Sequence, residues 1–316
     1  MAESVKGLAG KKKGNIAMEK RWFRNIRYVF WGICAAVALV ICVKVGTVRT
    51  EAAAYTRLWT DYDTKAVKNG KYFIKIDESS RKALIATRKS GPYKETPMNF
   101  YGAFANGKQA YYVRENVLYK YVFSGGKESK VKKLPVSGDQ GYHISAVYGS
   151  QIFLTKSSFD QWKYWTYSYN TKSKKLKKAA SDCAISSQNG KYVVAQNEYR
   201  SDVSPYRVTV YKITSSGLKK VKKLGENCHA EIYVNGKLYY TEYPDKYIQS
   251  GNYMKKVILY RCNPDGSGRK KLGTFTTSSQ YGEVMVTKVT AKYCHVYKGG
   301  QTYKYTYKTK KLKKIR

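Results

Sequence analysis

Reactive chemistry in this chain would have to come from a small set of histidines, carboxylates and thiols. The three histidines are His143, His229 and His295. His143 in "YHISAVYG" and His229 in "CHAEIYVNG" each open an apolar run, and neutral imidazoles placed together could take part in a metal site. They are offset by one residue relative to the turns that follow them, and no carboxylate set accompanies them. Structural histidine is therefore the expectation, and no metal or other cofactor is assigned. Glu198, Glu231, Glu242, Asp245 and Glu283 are scattered and supply no acid and base pair of glycosidase type. "DGSG" at 265–268 lacks the further oxygen ligands at fixed steps that an EF-hand needs, and reads as a hairpin turn. No G-x-S-x-G elbow, H-E-x-x-H, P-loop or dinucleotide fingerprint occurs. These residues favour a non-catalytic binding or scaffold module. The alternative is an exported hydrolase or lyase working at a channel mouth, with His143, His229 and Glu231 meeting there.

The abundant chemistry is basic. Sixty Lys and Arg stand against 21 Asp and Glu, a net charge of +39, well beyond what solubility asks of a domain and suited to an anionic partner. The charge is patterned in short runs, "KVKKLPV" (130–136), "KKLKKAA" (174–180), "KKVKKLG" (219–225), "RKKLG" (269–273) and "KKLKKIR" (310–316). The candidate polyanion-binding residues are Lys130, Lys132, Lys133, Lys174, Lys175, Lys177, Lys178, Lys219, Lys220, Lys222, Lys223, Arg269, Lys270 and Lys271. Lysine rows beside tyrosine-rich segments also occur in proteins that bind single-stranded nucleic acid. Here the tyrosines fall where strands need packing residues, so nucleic acid is not the expected partner. A solvated basic rim with no specific ligand accounts for the charge as readily as one that holds an anionic envelope polymer or lipid headgroups, and another surface protein is a further candidate partner.

Residues 1–54 are of a different kind. A basic segment over 1–27 precedes the apolar run "VFWGICAAVALVICV" (29–43), the pattern of an export signal with its N-terminus in the cytoplasm. A helix is predicted over 28–48, followed by a linker over 49–61. "AAA" at 52–54 offers a cleavage site, so the chain is either anchored in the cell membrane with its C-terminal domain outside, or secreted after cleavage at Ala54. Residues 55–316 keep 50 Lys and Arg against 18 Asp and Glu, a net +32, so the domain beyond the helix is itself strongly basic.

That domain is repetitive. Thirty-two Tyr against nine Phe and six Pro, in short Tyr/Val/Ile/Lys runs between Asn, Gly, Ser and Asp, predict strands rather than helices. Copies align on Asn69-Gly70-Lys71, Asn106-Gly107-Lys108, Tyr148-Gly149-Ser150, Asn189-Gly190-Lys191, Asn235-Gly236-Lys237 and Thr290-Ala291-Lys292, at spacings of 37, 42, 41, 46 and 55 residues, close to the period of propeller blades. In the clearest copy the predicted strands are 229–234, 237–242, 256–262 and 269–274. The fold class predicted for 62–316 is all-β, a six-bladed β-propeller of four-stranded antiparallel blades, preceded by one transmembrane or signal helix. The lysine runs become the fourth, outermost strand of each blade, where Lys also blunts an exposed edge. Cys183 and Cys228 begin first strands of adjacent copies, which makes a disulfide between them possible; Cys262 and Cys294 are a second conceivable pair.

"LYYTE" (238–242) followed by "ILYRCNPDGSGRKKL" (258–272) resembles the repeat of YWTD-type propellers of the low-density-lipoprotein-receptor class, and more closely their bacterial exported counterparts. "VLYKYVFSGGKESKVKKL" (117–134) is a recognisable second copy. The resemblance implies a six-bladed ring and no reaction, since such propellers mainly present surfaces for binding.

Overall fold

The computed structural model of the chain describes residues 54–58, 66–77, 79–99, 102–138, 140–158, 163–197, 206–244, 246, 253–278 and 283–315. The helix expected at 28–48 and the basic segment before it lie outside these residues. Among the described residues no helix is long and apolar enough to cross a membrane.

Strands dominate because apolar and polar residues alternate over short spans; in "YFIKI" (72–76) Tyr72, Ile74 and Ile76 are buried while Phe73 and Lys75 are half-exposed. Of the 24 strands among the described residues, all but the first form, in chain order, six antiparallel units of four, one long strand serving in two of them. A short strap β1 (Thr56–Arg57) precedes them. Unit 1 is β2 (Val67–Asn69), β3 (Tyr72–Ile76), β4 (Lys82–Ala86) and β5 (Lys94–Asn99). Unit 2 is β6 (Phe104–Ala105), β7 (Gln109–Arg114), β8 (Val117–Val122) and β9 (Lys127–Lys133). Unit 3 is β10 (Gly141–Tyr148), β11 (Gln151–Ser158), β12 (Lys163–Asn170) and β13 (Leu176–Ser181). Unit 4 comprises β14 (Cys183–Asn189), β15 (Tyr192–Asn197), β16 (Tyr206–Thr214) and the first half of the long β17 (Gly217–Val234). Unit 5 takes the second half of β17 with β18 (Lys237–Glu242), β19 (Lys256–Cys262) and β20 (Lys270–Thr276). Unit 6 is β21 (Val284–Val289), β22 (Tyr293–Lys298), β23 (Gln301–Thr306) and β24 (Lys311–Lys314). In every unit neighbours in sequence are neighbours in the sheet, and the passage of β17 from one unit to the next joins units 4 and 5 into seven hydrogen-bonded strands.

A four-stranded sheet has two faces to cover, and here each unit covers its neighbour's. Five buried clusters fill the five successive gaps. Ile74, Met98 and Tyr112 lie between units 1 and 2; Leu118, Ile144 and Tyr169 between units 2 and 3; Phe153, Cys183 and Val193 between units 3 and 4. Val210, Leu238 and Tyr240 fill the gap between units 4 and 5, and Val257, Cys294 and Tyr305 that between units 5 and 6. Side chains also stitch first strands together: the Gln188 amide donates to Val147 O at 2.9 Å and accepts from Val147 N at 3.0 Å, and Ser187 Oγ accepts from Tyr233 N at 3.1 Å. Consecutive four-stranded antiparallel units packed face on face are the architecture of a β-propeller. Among the described residues no buried cluster joins unit 6 to unit 1.

All six small turns on which the repeat was aligned fall between the first and second strands of a unit; for the clearest copy the last three predicted strands agree with β18 to β20 within two residues, while the first, 229–234, is only the closing part of the 18-residue β17. Two features depart from the sequence reading. Residues 49–61 are not wholly linker: Thr56 and Arg57 pair with Ala105 and Phe104, and Leu58 is buried. The outer strands, moreover, are not plain alternations. The ladder skips Val131 between Lys130 and Lys132, Ala179 between Lys178 and Ala180, Val221 between Lys220 and Lys222, and Leu272 between Lys271 and Gly273. One apolar residue within each basic run (units 2 and 4) or directly after its last lysine (units 3 and 5) is thus a β-bulge at the same station. A bulge bends and twists an outer edge, which, like the lysines, protects it from pairing with another chain.

Candidate functional site

Bulges recur in the first strands, where they decide what faces the centre. Ser145 is skipped in the pairing of β10 with β11, Ser186 in that of β14 with β15, and residues 230 and 231 fall in the shifted stretch of β17 against β18. A bulge re-aims a side chain that strict alternation would direct elsewhere. All three places open on one cavity of about 450 Å³, lined by the strap (Ala54 to Arg57), Phe104, Ser145, Val147, Tyr148, Ser186 to Gly190 and Glu231 to Tyr233. Its walls thus come from the first strands of units 2, 3, 4 and 5 and from β1.

The serines keep their hydroxyls close to the sheet: Ser145 Oγ donates to Phe153 O at 3.3 Å and Ser186 Oγ to Val194 O at 3.2 Å. Unit 5 carries an acid instead. Glu231 is buried, and the Gln196 amide donates to its two oxygens at 2.7 and 3.0 Å. Burial pushes its carboxyl up from the usual range, opposed by the Gln196 and Ser186 hydrogen bonds. His143, paired with Thr155 on β11, is pushed down to about 4 by burial and by the nearby Arg57 charge. It is not among the cavity-lining residues, and the side chain of His229 lies outside the description. His295 sits in β22 of unit 6, stacked on Tyr293 at 5.4 Å. No hydrogen bond joins Glu231 to a histidine among the described residues, and these residues contain no group of three or more His, Cys, Asp or Glu that could hold a metal.

Cys183, Cys228, Cys262 and Cys294 are free, buried thiols. Cys183 belongs to the cluster between units 3 and 4 and Cys228 to that between units 4 and 5, so the Cys183–Cys228 disulfide is not formed. Burial raises all four thiols, Cys183 and Cys262 to about 11 and Cys294 to about 12, which leaves them protonated and poor nucleophiles at neutral pH.

The basic runs lie on the outermost strands, as the repeat predicts. Lys130, Lys132 and Lys133 are on β9; Lys174 and Lys175 lead into β13, which carries Lys177 and Lys178; Lys219, Lys220, Lys222 and Lys223 are on β17; Lys270 and Lys271 begin β20. All are exposed. Between the outer edges of units 2 and 3 runs an open groove of about 850 Å³ with Lys132, Lys133, Lys174, Lys175 and Lys177 on its sides and Leu134, Pro135, Val136 and Leu176 between them. No carboxylate lines it.

Arg269 differs from these lysines. Its guanidinium lies 3.7 Å from the Tyr260 ring centroid and 5.8 Å from that of Tyr240, and is ion-paired with Glu242. It clamps β18, β19 and the start of β20. We expect Arg269→Ala to lower stability by about 1 kcal/mol, the scale of one cation–π contact and a half-exposed ion pair, and to leave polyanion binding unchanged. Chemical denaturation beside a binding titration checks both.

No protein-family model matches this chain, and no curated protein does. Among solved structures it is similar to an oligogalacturonate lyase in complex with manganese (TM-score 0.46, 12% identity, covering 83% of this chain and 80% of that one). It is also similar to the β-propeller domain of the trilobed protease from Pyrococcus furiosus (TM-score 0.44, 10% identity, 76% and 78%) and to oligopeptidase B from Trypanosoma brucei (TM-score 0.49, 7% identity, 86% and 41%). At these scores nothing about activity transfers, and the architecture rests on the strand pairing described above.

Sequence reasoning missed Ser145, Ser186 and Arg57 as lining residues. A signal existed for the serines: Ser145 and Ser186 each stand four residues before the turn glycine, Gly149 or Gly190, whereas Glu231 stands five before Gly236.

Proposed function

We propose that this protein is a non-catalytic, exported β-propeller that holds an anionic envelope polymer along its outer strands. The observation that carries the reading is the groove between units 2 and 3, where five exposed lysines flank an apolar floor with no carboxylate among them. Single exposed ion pairs contribute little, but a polymer meeting several at once gains from effective concentration, and the basic domain draws it in by long-range attraction. The YWTD-type resemblance over 238–272, in a class that chiefly presents binding surfaces, agrees with this use, and the apolar run at 29–43 would place the domain outside the cell, held by its helix or released by cleavage.

The test is binding of the purified full-length chain to a poly(glycerol phosphate) polymer, with vesicles of anionic lipid as a second arm. Affinity for the polymer should fall at least about tenfold between about 50 mM and 300 mM salt, as exposed charges are screened. The variant with Lys132, Lys133, Lys174, Lys175 and Lys177 changed to Gln should bind at least about tenfold more weakly at the lower salt. Salt-insensitive binding, or equal binding by the variant, would overturn the reading; preference for vesicles over polymer would move the ligand to lipid headgroups.

A further inference from the structure

The cavity lined by the first strands of units 2 to 5 is a second and separate feature, and it gathers a cation, hydroxyls and a buried carboxyl. Three observations bear on it. Bulges at matching stations in units 3, 4 and 5 direct Ser145, Ser186 and Glu231 toward one space. The strap β1, held to unit 2 by the pairs Thr56↔Ala105 and Arg57↔Phe104, brings Arg57 into the same wall. Finally, the repeat is broken where an acid would matter most: the shifted stretch of unit 5 has a buried carboxyl where units 3 and 4 have hydroxyls.

We propose that this cavity binds a small hydroxylated organic anion, its charged group held by Arg57 and its remaining oxygens by Ser186 and the Glu231–Gln196 pair.

The sign of the ligand follows from what surrounds each group. Arg57 is exposed, and its positive charge reaches His143. Glu231 has no cation acting on it from β14, β15 or its own strand; its partners are Gln196 and Ser186, and Cys228 on β17 is a buried thiol. A carboxyl buried without a cation is disposed to keep its proton, and a protonated carboxyl donates a hydrogen bond to a ligand oxygen instead of repelling it. Guanidinium and carboxylic acid are the donors suited to an oxyanion, and the Ser186 hydroxyl, its own proton given to Val194 O, accepts from a ligand hydroxyl. Phe104, Tyr148 and Tyr233 supply apolar surface for its carbon skeleton.

The experiment titrates the purified full-length chain with glycerol 3-phosphate by calorimetry, with glycerol as the neutral counterpart and glycine as the zwitterion. Expected is saturable binding of glycerol 3-phosphate and none of glycerol or glycine. Arg57→Gln should weaken it at least about tenfold, the scale of a charge-assisted hydrogen bond lost, and Arg57→Lys should recover part of that. Glu231→Gln, still a donor, should bind within about threefold of the parent where Glu231 carries its proton, and lack the weakening that the parent shows as pH rises and Glu231 ionises. The variant with the five groove lysines changed to Gln should bind as the parent does, which separates this site from the outer surface. Equal binding of glycerol, unaltered binding by Arg57→Gln, loss of binding in Glu231→Gln with an unchanged melting temperature, or loss in the groove variant would each overturn the proposal.

Discussion

Gly70→Ala is expected to lower the stability of the propeller by about 3 kcal/mol or more, and Gly190→Ala, at the matching turn of unit 4, by only about 1 kcal/mol. Both glycines adopt the left-handed backbone, with φ of +62° and +55°, so both substitutions incur the same conformational cost. They differ in what a Cβ would touch. At Gly190 it meets nothing within 4 Å. At Gly70 it would lie 2.8 Å from the Cα and 3.1 Å from the carbonyl oxygen of Gly107, where the turns of units 1 and 2 cross. Backbone cannot swing away as a long side chain would, so relief requires moving unit 2 relative to unit 1. The Asn69 carboxamide also joins the two turns, accepting from Gly107 N and donating to Ala105 O at 3.3 Å, so the displacement would strain buried hydrogen bonds as well. Urea unfolding of the two variants decides the point, and equal losses would show that the turns of units 1 and 2 are not in close contact.

The same pair of glycines shows how far the sequence can be read. Asn-Gly-Lys at 69–71 and at 189–191 look alike, and the turn they predict is the turn that forms, because the requirement for φ > 0 is local and belongs to the residue. Which of the two is crowded depends on where the next unit comes to rest, and no local pattern carries that. The lysine runs behave likewise. "KVKK" at 130–133 and 220–223 reads as simple alternation with an apolar residue turned inward, and Val131 does pack against the core, but Val221 is 43% exposed. The bulge that skips both is a property of two twisted strands pairing rather than of either alone. Among the chemically interesting residues, the placement of His143 in the first strand of its unit was legible, since it precedes the turn at Gly149 in one apolar run. The gathering of Arg57, Ser186 and Glu231 was not, because Arg57 comes from a segment outside the repeat and Glu231 from a copy whose turn glycine stands one residue later relative to the strand pairing.

The second large effect concerns pH. His143 has a folded-state value of about 4 against 6.5 for an exposed imidazole, lowered first by burial and then by Arg57. A histidine whose value is depressed by folding prefers to be neutral in the folded protein. Above pH 6.5 it is neutral in both states and imposes nothing. Below that, the unfolded chain takes up a proton that the folded chain refuses until about pH 4, so stability is lost as pH falls through this window. At pH 4.5 the loss is on the order of 2–3 kcal/mol, an appreciable part of the stability of an ordinary domain. His295, also depressed by desolvation and by Lys288 and Lys304, acts in the same direction. Glu231 acts in the opposite one: its carboxyl is raised, so its contribution is full below the unfolded value near 4.5 and is lost as pH rises through the folded one. Urea midpoints of the full-length chain at pH 7.5, 6 and 4.5 should therefore fall toward acid, and His143→Gln should flatten most of that slope, while Glu231→Gln should steepen it. If His143→Gln retained the full acid slope, the imidazole would have to be solvated or already protonated, and the packing of β10 against β11 around it would need another description.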